Sequence, residues 1–157
     1  MRMGGGTKSM TIELSNESKS AVNEERIISI ATFAISAMGL APDCDLEINI
    51  VDEDEMSALH VQWMDLEGPT DVLSFPIDEL KPHSGDSGLI GTIVLCPTFA
   101  QAEITRQGMT HPVSEELELL TVHGVLHCLG YDHRDAAEEA DMFGLQNQIL
   151  ADWRATA

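Results

Sequence analysis

Apolar and polar residues alternate along short segments of the chain. The alternation is clearest at 45–50, where DLEINI predicts a half-buried strand, and weaker at 11–16, where TIELSN predicts an edge strand. Two segments with a more continuous apolar character, 71–75 and 89–96, are typical of further strands, the second of them buried. The pattern therefore predicts about four strands.

Apolar residues recur at helical spacing between and after these strands. The predicted helices begin near five residues: Asn23, Asp52, Pro97, Pro112 and Arg134. The helix that begins near Pro112 is apolar on nearly all sides, which places it at the centre of the fold. Because strands and helices interleave without internal repeats, we expect an α/β (α+β) fold with a mixed, mainly parallel sheet covered by helices.

Length and composition suit one domain with its own core, since the chain has 157 residues and 43% of them are hydrophobic. Residues 1–9 resemble a leader or an added extension, so we expect the domain to span 10–157. No apolar run approaches the roughly 18 residues of a membrane span. Three widely separated cysteines suit buried thiols in a reducing compartment. We therefore expect a cytoplasmic protein without a membrane partner.

The charge balance is strongly acidic. The chain has 27 Asp and Glu residues against 8 Lys and Arg residues, which gives a formal net charge of −19. Such a chain lacks a general attraction for a phosphate backbone, and its aromatic content of 4% disfavours a stacking surface for single strands. Contact with RNA must therefore depend on a local site, and we expect a protein partner on the ribosome to bring the chain to RNA.

Candidate chemistry is concentrated in the segment HGVLHCLGYDH at 123–133. The imidazoles of His123 and His127 project from one helix face one turn apart, and both can reach a single metal at about 2.0–2.1 Å. Gly130 suits a sharp turn that returns His133 to the same point. Three neutral nitrogens and an open fourth position describe a catalytic zinc site, so we predict one zinc per chain whose bound water is activated.

Other interpretations of these histidines stay open. They could be hydrogen-bonded histidines on an apolar helix, or they could hold a structural metal. Their spacing is also that of metzincin proteases, which carry a glutamate base directly after the first histidine. Gly124 occupies that position here, which disfavours peptide hydrolysis and leaves a metal-dependent hydrolase whose base lies elsewhere.

The histidine segment, the upstream GPTDVLSFPIDE at 68–79 and the strand LIGTIVLC together resemble the YbeY family of bacterial metal-dependent endoribonucleases. This resemblance covers about 10–153. It implies a mixed sheet with surrounding helices, a cleft lined by PTDVLSFP, and a zinc held there by the three histidines. It also implies a single-strand-specific endoribonuclease that acts in ribosomal RNA maturation and ribosome quality control.

The chain departs from this family at two positions. The family often has an arginine five residues before the Pro-Thr pair, where this chain has Met64, and usually a Gly-Asp pair where this chain has Gly91 and Thr92. At these two positions the resemblance implies a phosphate-binding cation and an acid near the metal, and this chain has neither.

Several other polar side chains are candidates for the site. His60 could contact substrate or be a surface histidine, and Thr70 and Ser74 could bind substrate or be ordinary turn and strand residues. Asp132 and Asp135 could orient a ligand imidazole, act as the general base, or serve a turn and a helix cap. The catalytic base is unassigned, with Asp132 as its candidate.

Three functions are compatible with these observations. The first is a zinc-dependent endoribonuclease whose substrate is ribosomal RNA. The second is a ribosome-assembly or RNA-chaperoning factor whose metal is mainly structural. The third, a metal-dependent hydrolase of another bond, is compatible with the histidine spacing and disfavoured by Gly124.

Overall fold

A computed structural model describes residues 11–64 and 70–156. Within them it contains four strands: β1 (Thr11–Asn16), β2 (Asp45–Ile50), β3 (Val72–Pro76) and β4 (Leu89–Leu95). It also contains five helices: α1 (Glu24–Ala37), α2 (Glu53–Met64), α3 (Pro97–Arg106), α4 (Val113–Cys128) and α5 (Ala136–Ala155). The expectation for 1–9 falls outside the described residues, and so does the side chain of Met64.

The four strands form one sheet in the order β1-β2-β4-β3. Strand β2 pairs in parallel with both β1 and β4, whereas β3 runs antiparallel to β4. The predicted mixed, mainly parallel sheet is therefore confirmed. The edge strand β3 brings the segment that resembles the family motif beside the C-terminal half of α4, since β3 and α4 are in contact.

Helices α1 and α5 begin at a residue whose side chain caps a free backbone N–H group, whereas α3 and α4 have no such side-chain hydrogen bond. The Asn23 side chain accepts a hydrogen bond from the backbone N–H of Arg26 at the start of α1. At α5 the Asp135 side chain accepts from the backbone N–H of Glu138, so this helix begins at Ala136, two residues later than Arg134. Asp135 therefore caps a helix, which was one of the roles that the sequence left open.

Helices cover both faces of the sheet. One core contains buried residues of α1, α4 and α5 with Ile48, Ile90 and Ile93 of the sheet. A smaller cluster on the other face contains Met56 of α2 and Val94, the residue that follows Ile93 in β4. Helix α4 is buried on most of its sides, which confirms its predicted central position.

Thr92 lies on the α2 face of the sheet. Its hydroxyl donates a hydrogen bond to Glu47 Oε1 at 2.9 Å, and its neighbour Ile93 faces α4. Because successive strand residues point to opposite faces, position 92 cannot direct a side chain at the histidines. The expectation that an acid at this position would lie near the metal is therefore wrong.

Helix α4 packs closely against β4 at two glycines. A Cβ atom on Gly124 would lie 3.0 Å from the side chain of Ile93. A Cβ atom on Gly91 would collide with the Phe75 carbonyl oxygen and lie 2.8 Å from Cys128 Sγ. The position after His123 thus faces the sheet, where a glutamate would have no space.

A buried carboxylate joins the three helices of the larger core. Glu118 of α4, 2% exposed, pairs with Arg26 of α1 at 2.8 Å and with Arg154 of α5 at 3.3 Å. The Arg26 guanidinium also lies over the Trp153 ring, 4.7 Å from its centroid.

Among the described helices, none is both long and apolar enough to cross a membrane.

We expect Gly91→Ala to lower the free energy of unfolding by about 1–3 kcal/mol, because the added methyl group overpacks the contact between β4 and α4. The matched control is Gly144→Ala. Gly144 lies inside α5, and no other atom approaches within 4 Å of the place that its added methyl group would take. This change should therefore raise the free energy of unfolding by about 0.5–1 kcal/mol. Urea denaturation measures both, and equal effects of the two substitutions would contradict the close packing.

Candidate metal centre

The side chains of His123, His127 and His133 converge at the C-terminal part of α4. Each offers one ring nitrogen, and these nitrogens lie within 4.8 Å of one another. His123 and His127 are half-buried, whereas His133 is exposed. The three side chains can therefore hold one metal ion whose remaining coordination positions face solvent.

The turn after α4 returns His133 to the two helical histidines. Gly130 has a φ of +100°, which an L side chain rarely adopts. Its backbone N–H donates to the His127 carbonyl at 3.0 Å, and the N–H of Tyr131 donates to the Leu126 carbonyl at 3.1 Å. This pair of hydrogen bonds resembles a Schellman motif, which ends the helix and reverses the chain direction. The predicted role of Gly130 as a turn residue is confirmed.

Gln146 of α5 orients His123. Its Oε1 accepts a hydrogen bond from His123 Nδ1 at 2.8 Å, and Gln146 itself is buried, with 5% of its surface exposed. A proton held on Nδ1 leaves Nε2 of His123 with a free lone pair, which is the form that a metal requires. The donor set, its spacing and this supporting hydrogen bond together fit a metal ion.

Burial favours the neutral imidazole at both helical histidines. The pKa of His123 is lowered by burial, and the hydrogen bond to Gln146 offsets part of this effect. Burial also lowers the pKa of His127, and the neighbouring rings of His123 and His133 lower it further. Both side chains are therefore available as ligands at neutral pH, since only the unprotonated ring binds a metal.

The histidines line a cleft of about 510 Å³ together with the segment at 70–76. Asp71 lies in this cleft beside His123, whose pKa its carboxylate raises. Burial raises the pKa of Asp71 itself, and the negative charge of Glu116 adds to the effect. The cleft thus contains a half-buried carboxylate that holds its proton more strongly than an exposed aspartate.

The structure places three further predicted residues in the cleft, namely Thr70, Ser74 and Asp132. Asp132 Oδ1 accepts a hydrogen bond from the backbone N–H of His133 at 2.8 Å, and Oδ2 pairs with Arg134 at 3.3 Å. The hydrogen bond from His133 is the main reason why the pKa of Asp132 is lowered. Asp132 therefore shapes the turn that carries His133.

His60 is not among the described residues that line the cleft. It belongs to α2, which packs through Met56 on the opposite face of the sheet from α4. The structure therefore does not bring His60 together with the described residues of the cleft, and a contact between His60 and substrate stays a prediction. Helix spacing puts His60 one turn from Met64, but spacing does not determine which face of a sheet a helix covers.

Sequence reasoning missed Gln146 as a member of this site, and it placed Asp71 in the cleft only as part of a segment, without singling it out. Gln146 is a neutral residue 23 positions after His123, and no local pattern connects the two. Asp71 stands inside the PTDVLSFP segment that the family resemblance assigns to the cleft. Asp71 is the one acidic residue in a segment that otherwise has apolar and hydroxyl side chains, and this difference could have identified it as a candidate site residue.

A four-stranded sheet with a central helix that presents two histidines, and a glycine turn that presents a third, defines a class of single-domain α/β proteins with a metal-binding cleft. A model of the family described as Endoribonuclease YbeY matches residues 11–154. The chain belongs to this YbeY family.

Individual relatives agree with this assignment. The chain is 53% identical over 150 residues to a Rhodococcus jostii protein named Endoribonuclease YbeY, covering 92% of this chain and 82% of the relative. It is 50% identical over 151 residues to a Streptomyces coelicolor protein of the same name, covering 93% and 92%. A solution structure from Thermotoga maritima is similar with a TM-score of 0.61 at 26% identity, covering 92% of this chain and 93% of the other.

We expect Gln146→Leu to weaken metal affinity by about 10- to 100-fold, because His123 loses the acceptor that holds its ring. Competition with a zinc chelator followed by elemental analysis measures this affinity. The matched control is Gln148→Leu on the same helix, where the side chain donates to Asp152 instead. Unchanged affinity in a folded Gln146→Leu protein would contradict the orienting role.

The lowered pKa values of the two helical histidines predict how the metal-free protein responds to acid. A histidine whose pKa is lowered by folding binds fewer protons in the native state than in the unfolded state. Its contribution to stability is complete above the ordinary value of 6.5 and is lost as the pH falls below that value. The wild type should therefore lose stability relative to His127→Gln as the pH falls from 7 toward 5.

Urea denaturation of both metal-free proteins across this pH range isolates the effect, because the charges that the two proteins share cancel in the difference. A difference that is constant or that favours the wild type at lower pH would contradict the direction of the shift.

Proposed function

We propose that the protein is a zinc-dependent endoribonuclease that acts on single-stranded regions of ribosomal RNA. The observation that carries the proposal is the convergence of three histidine nitrogens within 4.8 Å in a cleft that also contains Asp71. The curated relatives named Endoribonuclease YbeY support the reaction class. An RNA phosphodiester is the substrate that the proposal assigns to the cleft.

His123, His127 and His133 would hold the zinc, one ion per chain. Three neutral imidazoles match the nitrogen-rich, partly open coordination of catalytic zinc sites. When bound there, the ion supplies a Lewis acid for the phosphate oxygens and lowers the pKa of water. Gln146 and the Gly130 turn act earlier, because they hold two of the ligands in place before any metal arrives.

Asp71 is better suited than Asp132 to accept a proton during the reaction. A general base works best when its pKa lies close to the working pH. Burial raises the pKa of Asp71, whereas the hydrogen bond from His133 lowers that of Asp132. Both oxygens of Asp132 are engaged, by His133 at 2.8 Å and by Arg134 at 3.3 Å, whereas Asp71 Oδ1 accepts a longer hydrogen bond, 3.4 Å, from the Thr70 hydroxyl. We therefore assign proton transfer to Asp71 in place of Asp132.

The acidic surface determines how the chain meets RNA. With a formal net charge of −19, it repels RNA that approaches without guidance. A ribosome-associated protein partner would overcome this repulsion and present the RNA to the cleft. The same repulsion would exclude RNA that is not presented correctly, so the charge contributes to specificity.

The proposal is tested by cleavage of a single-stranded ribosomal RNA fragment with zinc-loaded protein and by elemental analysis of the same samples. We expect one zinc per chain in the wild type, and loss of both zinc and cleavage in His123→Ala. The matched control is His60→Ala, since His60 lies outside the cleft. Cleavage retained by zinc-free His123→Ala would overturn the proposal, and RNA binding without any turnover would favour the ribosome-assembly function.

Asp71→Asn should lower the rate of cleavage by about 100-fold while the zinc content stays at one per chain, because the amide cannot accept the proton. Asp132→Asn should have a smaller effect, because Asp132 acts on the turn. Rate measurements on zinc-loaded samples of both variants make the comparison. A larger loss in Asp132→Asn would return the assignment to that residue.

A further inference from the structure

Most of the cations in the described part of the chain are already paired with carboxylates. Arg26 and Arg154 pair with Glu118, Arg106 pairs with Glu103, and Arg134 pairs with Asp132 and Glu138. Among the described residues, the two Lys or Arg side chains without an ion pair are Lys19 and Lys81. These two are therefore the described cations whose full charge is available to an anion.

Lys81 stands next to the histidine cleft. It lines a groove of about 90 Å³ that also contains Leu80 and Leu129. This groove shares Pro76, His127 and Gly130 with the larger cleft. The two concave surfaces are therefore adjacent, and an extended chain that leaves the cleft past His127 would reach Lys81.

The loop that carries Lys81 is anchored on both sides. Before it, Leu80 is 7% exposed and packs in the larger core. After it, Ser84 Oγ donates a hydrogen bond to the Lys81 carbonyl at 2.6 Å, and the backbone N–H of His83 donates to the Met38 carbonyl at 2.7 Å. The backbone at Lys81 is thus held in place while its side chain is exposed, so little ordering of the loop opposes binding at this position.

Glu79 lines the same groove and sets the local charge balance. It is exposed, and no ion pair joins it to Lys81 in this part of the described chain. A phosphate in the groove would therefore be attracted by Lys81 and repelled by Glu79. This opposition makes the two side chains a matched pair of probes.

We propose that Lys81 binds a backbone phosphate of the RNA one or more nucleotides away from the bond in the histidine cleft. The inference rests on the proposed endoribonuclease function and adds a subsite to it. A lysine suits this role because its ammonium group is a compact charge that binds phosphate without a fixed direction. On so acidic a surface, one such contact would set the path that the strand takes out of the cleft.

The test measures binding of a fluorescent single-stranded RNA oligonucleotide to the zinc-loaded protein at several salt concentrations, and cleavage of the same oligonucleotide. We expect Lys81→Gln to raise Kd and KM about 3- to 10-fold with little change in kcat, because the contact is made equally in the ground state and the transition state. The slope of log Kd against log salt should fall by about 0.7, the value for one phosphate contact on a single strand. Lys81→Arg should restore binding, and Glu79→Gln should lower Kd.

Lys19→Gln is the matched control, since Lys19 is also exposed and without an ion pair but lies between β1 and α1. An equal effect in Lys19→Gln, or an unchanged Kd and salt slope in Lys81→Gln, would overturn the Lys81 subsite. If the oligonucleotide is cleaved but Lys81→Gln behaves as wild type, the subsite fails and the proposed activity stands. If nothing is cleaved and Lys81→Gln still weakens binding, the proposed activity fails and the phosphate contact stands.

Discussion

The close approach of α4 to β4 determines where the helical histidines point. Gly124 faces Ile93 across this contact, and a side chain at position 124 would fit only if the Ile93 side chain or the helix shifted. Successive helical residues are rotated by about 100° around the helix axis. His123 and His127 therefore both lie on the same side of Gly124, at about 100° and 60° from it around that axis. That side faces the edge strand β3, so the close packing at Gly124 directs two ligands into the cleft.

Most described cations of this protein are paired with carboxylates, two of them with one buried carboxylate and the others on the surface. Glu118 is buried in the centre of the helical layer, and the two arginines that neutralise it come from the first and last helices. A buried carboxylate without these partners would be strongly destabilising. As a result, few described cations are left without an ion pair, which makes the position of each of these important.

The fold and the three histidines could be predicted from the sequence because they depend on local geometry. The spacing of His123 and His127 follows from the helix repeat, and the position of Gly130 follows from the requirement for positive φ. The faces of the sheet could not be predicted in the same way. Strand β4 is buried on both sides, with Ile93 and Val94 both inaccessible, so its sequence carries no alternation that would reveal where Thr92 points.

The hydrogen bond between Gln146 and His123 would give α5 a share in the affinity of the three histidines for a metal. A metal held by His123 would bind the native arrangement in which Gln146 holds the imidazole, so it would stabilise the docking of α5 on α4. Linkage is reciprocal, and any event that displaces α5 must weaken metal binding by the same free energy. Helix α5 would therefore be a thermodynamic partner of an ion in this site, and a chain that has not yet folded this helix would bind the ion more weakly than the folded domain.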